Sequence, residues 1–251
     1  MHPLFRQRSQ VLAIEPLPAV FPTIRGAEIA ASVIGHRVAG DFYDSLRVSP
    51  ERILFGLLDV AGRREENASI LAAAQQTFRS LGVELFSRPE ANESDAMTEL
   101  SLDINRKVIE TSKGVHPCPA FIACYHERFG TLCYTNAGHT PGLLRDSKGI
   151  VELGSTGLPL GLFSHATADA PIVGLEKGAA LMLVSRGVVE CGERGEPGNE
   201  LGLERVKEAF KQATLNPAQS LCTTILDLAR TFNAGRSFCD DLTALALRRT
   251  A

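Results

Sequence analysis

The chain has 251 residues with a formal net charge of −3, and 44% of the residues are apolar and 22% are charged. This composition is typical of a globular domain and excludes a disordered or fibrous chain. The small acidic excess argues against nucleic-acid binding, which needs clustered Lys and Arg, and no apolar run approaches the roughly 20 residues that span a bilayer.

Apolar periodicity predicts the elements of the chain. Runs of strand length occur, in chain order, at residues 52–60, 120–125, 130–135, 180–185 and 242–247. Apolar residues three or four positions apart predict helices at 67–81, 100–108 and 206–210, and a last helix that starts with Asn216 as cap and Pro217 in its first turn. Strands and helices mixed in this way, with short turns, favour an antiparallel α+β layered fold.

No internal repeat or long linker divides the chain, so we assign residues 1–14 to the end of a linker and residues 15–251 to a single domain. Arg6, Arg8 and Glu15 interrupt any signal-like apolar run at the start, and we expect a cytoplasmic protein. The six cysteines are scattered through a large chain without CxxC pairs, which favours reduced core thiols over a zinc site or a disulfide framework.

Acidic residues stand at several strand ends. Asp41 and Asp44 follow a glycine, Asp59 ends the apolar run 52–60, and the pair Asp240 and Asp241 precedes the last predicted strand. Carboxylates in such positions suit Mg²⁺ or Mn²⁺, which prefer oxygen ligands. Aspartate is also common in turns and helix caps, so this pattern alone leaves a metal site and ordinary turns as alternatives.

The order and the residues of six segments favour the metal site. Together they resemble the PPM-type (protein phosphatase 2C-like) serine/threonine phosphatases, in particular their sporulation stage II protein E branch, over about residues 15–249. The segments are Val38–Asp44, Asp59–Arg64, Asn136–Pro141, Gly157–Gly161, Ser185–Glu190 and Asp240–Thr243.

The resemblance implies two packed antiparallel sheets flanked by helices, an αββα sandwich, with two Mg²⁺ or Mn²⁺ ions at one edge. In that family the ions activate a water that attacks a phosphoserine or phosphothreonine. By position, Asp59 would bridge both ions and the carbonyl oxygen of Val60 would bind one of them. Asp41 would act beside that same ion, partly through water, and Asp240 would hold the other, so Asp41 and Asp59 are the catalytic candidates.

Arg186 departs from the family pattern, because it stands where the family's Thr-Asp-Gly motif supplies a metal-binding aspartate. A guanidinium stays protonated and only donates hydrogen bonds. We therefore expect one ion or none, with Arg186 as a bidentate partner of Asp59 or Asp240. Arg63 and Arg64 replace the family's His-Gly, either disturbing the metal site or contacting phosphate groups on a partner.

His139 follows a glycine in Asn136–Pro141, which invites a catalytic interpretation. Asn-x-Gly is also typical of a tight turn, and here it would join the strand before Asn136 to the strand after Pro141. We favour the turn.

Two functions follow from the resemblance. The first is a protein serine/threonine phosphatase with weak or absent turnover, acting on a phosphorylated regulatory protein similar to the anti-anti-sigma factors on which this branch acts. The second is a pseudophosphatase that binds a phosphoprotein or another regulator. One ion at Asp41, Asp59 and Val60 would support weak hydrolysis. An unrelated small-molecule enzyme has no P-loop, dinucleotide fingerprint or nucleophile elbow to support it.

Overall fold

The computed structural model describes residues 19–35, 40–60, 64–112, 115–165, 167–192, 199–214 and 217–251, with the side chains of 64–66 excepted. The predicted linker end at residues 1–14, the predicted cap Asn216, Arg63 and the side chain of Arg64 lie outside this description. The elements in order are β1 Ala27–Ile34, β2 Gly40–Arg47, β3 Arg52–Val60, α1 Arg64–Phe86, α2 Glu93–Ser112, β4 Ala120–His126, β5 Thr131–Ala137, β6 Gly142–Arg145, β7 Ile150–Leu153, β8 Ile172–Gly174, β9 Ala180–Val184, α3 Arg186–Val189, α4 Gly202–Gln212, α5 Ala218–Phe232 and β10 Leu242–Arg249.

The strands form two antiparallel sheets that pack face to face. The β1 sheet has the order β1-β10-β9-β6-β7, and the β2 sheet has the order β2-β3-β4-β5-β8. Helices α1 and α2 contact the β2 sheet, and α5 contacts β1 and β10. The predicted α+β sandwich of two packed antiparallel sheets flanked by helices is therefore confirmed.

Strand β3 shows how the sequence builds these layers. Successive side chains of a strand point to opposite faces, so Phe55 and Leu57 lie between the two sheets while Leu54 and Leu58 lie under the helices. Every residue of β3 is buried. A strand that is covered on both faces needs a continuous apolar run, and this is the reason for the unbroken pattern at residues 52–60.

The predicted helical stripes are the buried faces of the helices. Leu100, Ile104 and Val108 of α2 pack in the core under the β2 sheet. Helix α5 starts at Ala218, one residue later than predicted. Pro217 is therefore its N-cap and not the first-turn residue that the sequence predicts. Proline suits both positions because neither needs its missing backbone N–H.

The described cysteines are all free thiols. Five of them are buried, as the sequence predicts, but Cys239 is exposed in the loop before β10. Among the described residues, no helix combines the length and the apolar character that are needed to cross a bilayer.

A buried ion pair fixes helix α1 to the β2 sheet. Asp44 lies on the face of β2 that the helices cover, and Arg79 of α1 donates to its two carboxylate oxygens at 2.6 and 3.0 Å. Gln75 of α1 donates to the same carboxylate at 3.0 Å, and the backbone N–H of Ser45 donates at 2.9 Å. Asp44, which the sequence groups with Asp41, therefore holds the helix layer and lies on the opposite face of β2.

Replacing this carboxylate tests its structural role. In Asp44→Ala the Gln75 amide and the Arg79 guanidinium lose their shared acceptor, and we expect the free energy of unfolding to fall by about 3 kcal/mol. Urea denaturation measures the change. Asp227→Ala, which removes an exposed aspartate paired with Arg230, is the matched control and should change stability by less than about 0.5 kcal/mol. Equal effects of the two substitutions would contradict the assignment.

Candidate functional site

Two acidic residues face each other at the end of the β2 sheet. Asp41 of β2 is paired with Asp59 of β3 in antiparallel register. Both side chains lie on the face that looks toward the other sheet, because Asp59 shares the face of Leu57 and Phe55. Asp59 is buried, and its backbone N–H donates to the carbonyl oxygen of Pro119 at 2.8 Å.

The β1 sheet brings a cation and a third acid to the same edge. Arg186 begins α3 directly after β9, and Asp240 precedes β10, which pairs with β9. The guanidinium Nε of Arg186 lies 3.7 Å from Asp59 Oδ2, and its Nη2 lies 3.4 Å from Asp240 Oδ2. The backbone N–H of Arg186 also donates to Asp59 Oδ2 at 3.2 Å. Side chains from distant parts of the chain thus meet at one pocket.

The contacts of Arg186 differ from the bidentate pairing that the sequence predicts. One guanidinium nitrogen faces each carboxylate, so the arginine bridges Asp59 and Asp240 instead of gripping one of them with two parallel hydrogen bonds. The position of Arg186 between two strands' ends explains this geometry, since the two acids approach it from different sheets. Its side chain is 44% exposed, so water screens part of the attraction.

Asp41 is partly buried, and its two carboxylate oxygens have different surroundings. The hydroxyl of Thr243 donates to Asp41 Oδ2 at 2.6 Å, while the buried Oδ1 has no hydrogen-bond partner in the described part of the chain. Burial, and secondarily the charge of Asp59, raises the pKa of Asp41 well above its usual value. Burial also raises the pKa of Asp59, with Arg186 opposing that shift. A positive charge nearby would therefore stabilise the ionised forms of Asp41 and Asp59.

The backbone next to Asp59 offers a further oxygen. The carbonyl of Val60 accepts a hydrogen bond from the Asn67 side-chain amide at 3.3 Å. Gly40 lies opposite, and a Cβ at this position would come within 2.5 Å of that carbonyl oxygen. Glycine is therefore needed for the close approach of β2 to Val60. Asp41, Asp59 and Val60 thus lie on two paired strands of the β2 sheet, and the Arg186 guanidinium approaches Asp59 from the β1 sheet.

Among the described residues, no three His, Cys, Asp or Glu side chains are grouped so that they could hold a metal ion. Asp41 and Asp59 supply two carboxylates, and Asp240 is separated from them by the Arg186 contacts. The donor set at Asp41 and Asp59 has the hard oxygen chemistry of a Mg²⁺ or Mn²⁺ site, but the sector between Asp59 and Asp240 contains a cation.

Comparison with known families decides the class of the domain. The family model of stage II sporulation protein E (SpoIIE) matches residues 49–250. The chain belongs to the SpoIIE family. This confirms the predicted PPM-type phosphatase membership, and five of the six segments lie within the matched residues, whereas Val38–Asp44 precedes them.

Individual members of the family and of the fold support the assignment. The phosphoserine phosphatase RsbU of Bacillus subtilis (strain 168) is 27% identical over 224 residues, which cover 88% of this chain and 62% of RsbU. The RsbU and RsbW domains of Rv1364c from Mycobacterium tuberculosis share the fold with a TM-score of 0.73 and 23% identity, covering 92% of this chain and 63% of that one. RsbX, solved in complex with magnesium, has a TM-score of 0.60 at 13% identity, with 88% and 94% coverage.

The segment Asn136–Pro141 serves the architecture of this SpoIIE-family domain. It joins β5 of the β2 sheet to β6 of the β1 sheet, so it crosses the sandwich and does not form a hairpin. The Asn136 side chain accepts the backbone N–H of His139 at 2.8 Å and donates to the carbonyl of Leu153 at 3.2 Å. His139 is buried, and burial lowers its pKa to about 4. A neutral, enclosed imidazole agrees with the structural interpretation.

Three residues that contact the site are not among the candidates chosen from the sequence. Thr243 orients Asp41, and Ser185 accepts the Thr243 backbone N–H at 3.0 Å while donating to the carbonyl of Asp241 at 3.3 Å. Both residues belong to segments that resemble the family motifs, so their motif position could have indicated them. Asn67 stands outside every motif, and only the fold shows its contact with Val60.

The pKa of Asp41 generates a pH-dependent prediction. A folded-state pKa above the unfolded value means that the charged carboxylate opposes folding, so this penalty appears as pH rises above about 4 and is absent below it. With EDTA present, Asp41→Asn should therefore stabilise the protein at pH 7.5, and its advantage should shrink at pH 4.5.

Urea denaturation of wild type and variant at both pH values measures this difference. Asp227→Asn, at an exposed aspartate, is the control and should show no such pH dependence. A variant that is less stable than wild type at pH 7.5 would show that the ionised Asp41 is favourable in the fold.

Proposed function

We propose that this domain binds a phosphoserine or phosphothreonine of a regulatory protein at the Asp59–Arg186–Asp240 edge and hydrolyses it weakly or not at all. Membership of the SpoIIE family and the similarity to the phosphoserine phosphatase RsbU support the substrate class. The observation that carries the reduced turnover is the guanidinium of Arg186, which lies within 3.7 Å of Asp59 and 3.4 Å of Asp240.

Electrostatics explain why Arg186 weakens a two-metal site. A unit-charge pair about 4 Å apart is worth about 4 kcal/mol at an effective dielectric near 20, so a dication beside Arg186 would meet repulsion of about 8 kcal/mol. The side chain is 44% exposed, and screening reduces this value severalfold. A remaining penalty of about 2 kcal/mol still lowers affinity roughly 30-fold. The repulsion from Arg186 would act on an ion held by Asp59 and Asp240.

Asp41, Asp59 and the Val60 carbonyl fit a single Mg²⁺ or Mn²⁺ ion. The buried Oδ1 of Asp41, which has no hydrogen-bond partner among the described residues, would gain a cationic neighbour there. Such an ion polarises a phosphoryl oxygen and lowers the pKa of bound water. Asp59 would orient both the ion and Arg186, and this arrangement supports slow hydrolysis. The magnesium bound to RsbX, which shares the fold, agrees with a divalent ion.

The pseudophosphatase alternative rests on the exposure of Arg186. Its guanidinium is partly open to solvent and has further N–H donors beyond those that face the acids. A phosphate group could therefore form charge-assisted hydrogen bonds with it without a metal ion. In this case the domain would hold the phosphorylated partner and control its availability, with no turnover.

The partner, location and boundaries follow as parts of the same proposal. We assign the phosphoprotein to the class of anti-anti-sigma-factor-like regulators, in keeping with the similarity to RsbU and to the RsbU and RsbW domains of Rv1364c. The net charge of −3 favours a protein partner over nucleic acid. We place the domain at residues 15–251, after a linker end at 1–14, in the cytoplasm.

Turnover of an aryl phosphate tests the proposal directly. Wild type with Mn²⁺ should hydrolyse p-nitrophenyl phosphate at a rate close to background, because the second ion is opposed by Arg186. Any remaining Mn²⁺-dependent rate should vanish in Asp59→Asn. Rapid turnover that needs both Mn²⁺ and Asp59 would contradict the weakened site.

Restoring an acid should restore the metal site. We expect Arg186→Asp to raise Mn²⁺ affinity at least tenfold and to increase turnover, since it removes a cation and adds a ligand. Calorimetric titration with Mn²⁺ gives the affinity independently of activity. Arg186→Gln, which removes the charge without adding a carboxylate, should show a smaller gain, and the distant Arg230→Asp should show none.

An unchanged Mn²⁺ titration in Arg186→Asp would count against the position assigned to Arg186. Inorganic phosphate separates the two functions, because the pseudophosphatase alternative predicts that wild type binds phosphate in EDTA and that Arg186→Gln loses this binding.

A further inference from the structure

A cavity beside the site contains two of the chain's thiols. Cys191 follows α3, and Cys239 lies in the loop that precedes β10, and both line this cavity. Gly187 and Asp240 line it too, so the cavity borders the Arg186 pocket. The two cysteines approach it from segments 48 positions apart in the sequence.

The two thiols differ in a way that suits stepwise oxidation. Cys239 is exposed, whereas Cys191 is 6% exposed and its Sγ lies 3.4 Å from the carbonyl oxygen of Ala229. Burial raises the pKa of Cys191, while Arg236 opposes and a charge on Cys239 adds to the shift. The effect of Cys239 on the pKa of Cys191 agrees with their common cavity.

The loop that carries Cys239 has room to move. Residues 234–240 form no helix or strand and are largely exposed. Ala234 and Gly235, which begin it, have φ values of 50° and 77°. Hydrogen bonds between Asn233 and Arg236 and the packing of Phe238 on the core hold this loop, so Cys239 would approach Cys191 through the cavity by local opening of the loop. A disulfide places the two Cα atoms about 4.4–6.8 Å apart, and the opened loop would have to bring Cys239 within that distance of Cys191.

We propose that Cys191 and Cys239 form a reversible intramolecular disulfide when a hydroperoxide oxidises the exposed thiol. The Cys239 thiolate attacks the peroxide, the O–O bond breaks, and a sulfenic acid and an alcohol or water form. The Cys191 sulfur then attacks the sulfenic sulfur, the S–S bond forms, and the S–O bond breaks with release of water. Two electrons pass from the thiols to the peroxide, and a dithiol reductant reverses the step.

The bond would tether both partners of the Arg186 ion pair. Cys239 directly precedes Asp240, and Cys191 ends the short segment that Arg186 begins. Oxidation therefore modifies the surroundings of the site without using its acids. This inference goes beyond the proposed function and holds whether or not the domain hydrolyses phosphate.

Peptide mapping tests the bond directly. The full chain is treated with hydrogen peroxide, alkylated with iodoacetamide, digested with trypsin without reduction and analysed by mass spectrometry. We expect a linked pair made of residues 187–194 and 237–248, each with a single cysteine, in more than half of the molecules. Dithiothreitol should abolish it, and the oxidised chain should melt on the order of 5 °C higher.

Two substitutions test whether the linked pair depends on Cys239. Cys239→Ser, at the exposed position, should remove the linked pair and the melting shift, whereas Cys222→Ala, which removes a buried thiol of the neighbouring helix α5, should keep both. Oxidation of Cys239 only to sulfinic or sulfonic acid, linkage only between two chains, or a linked pair that persists in Cys239→Ser would each overturn the proposal.

Discussion

The bridge from Arg186 to Asp59 and Asp240 is the interaction on which this edge of the sandwich depends. Asp41 and Asp59 lie opposite each other on paired strands, and Asp59 is buried while Asp41 is partly buried. Two carboxylates in this position repel each other unless positive charge is near. A cation fixed to the chain meets that need permanently, whereas a metal ion would meet it only when bound. Under the proposed function, Arg186 would therefore affect both metal binding and protein stability.

The rest of the fold does not depend on this bridge. Asp44 and Arg79 connect the helix layer to the β2 sheet on the opposite face, and Asn136 fixes the crossover between the sheets. Both networks lie away from the Arg186 contacts and use only protein groups. Under the proposed function, a changed side chain at a metal-binding position would leave these networks and the fold intact. The domain could then bind a partner without catalysing a reaction.

The sequence predicts the layers because buried positions are apolar and recur with the period of a strand or a helix. Strand β3 is covered on both faces and is apolar throughout, and the stripe of Leu100, Ile104 and Val108 is the buried face of α2. The start of α5 is one residue later than predicted, since proline suits both positions at a helix start. The apolar period therefore locates these elements but not their ends, since α1 spans Arg64–Phe86 against the predicted 67–81 and α2 spans Glu93–Ser112 against the predicted 100–108.

The pocket is predictable only where a motif places a residue. Asp41, Asp59, Arg186 and Asp240 come from family-like segments, and the structure brings them together. The contact of Asn67 with Val60, the hydroxyl bond from Thr243 to Asp41, and the bridging geometry of Arg186 depend on how distant elements pack. No local pattern encodes such contacts, so the sequence suggests a bidentate pair where the structure has a bridge.

A crystal structure grown with Mn²⁺ and measured at the manganese absorption edge would show whether Arg186 or a metal ion joins the two acids. We expect the Arg186 guanidinium between Asp59 and Asp240, with no anomalous peak between these two carboxylates. A manganese peak bound by both Asp59 and Asp240, with Arg186 turned toward solvent, would contradict it.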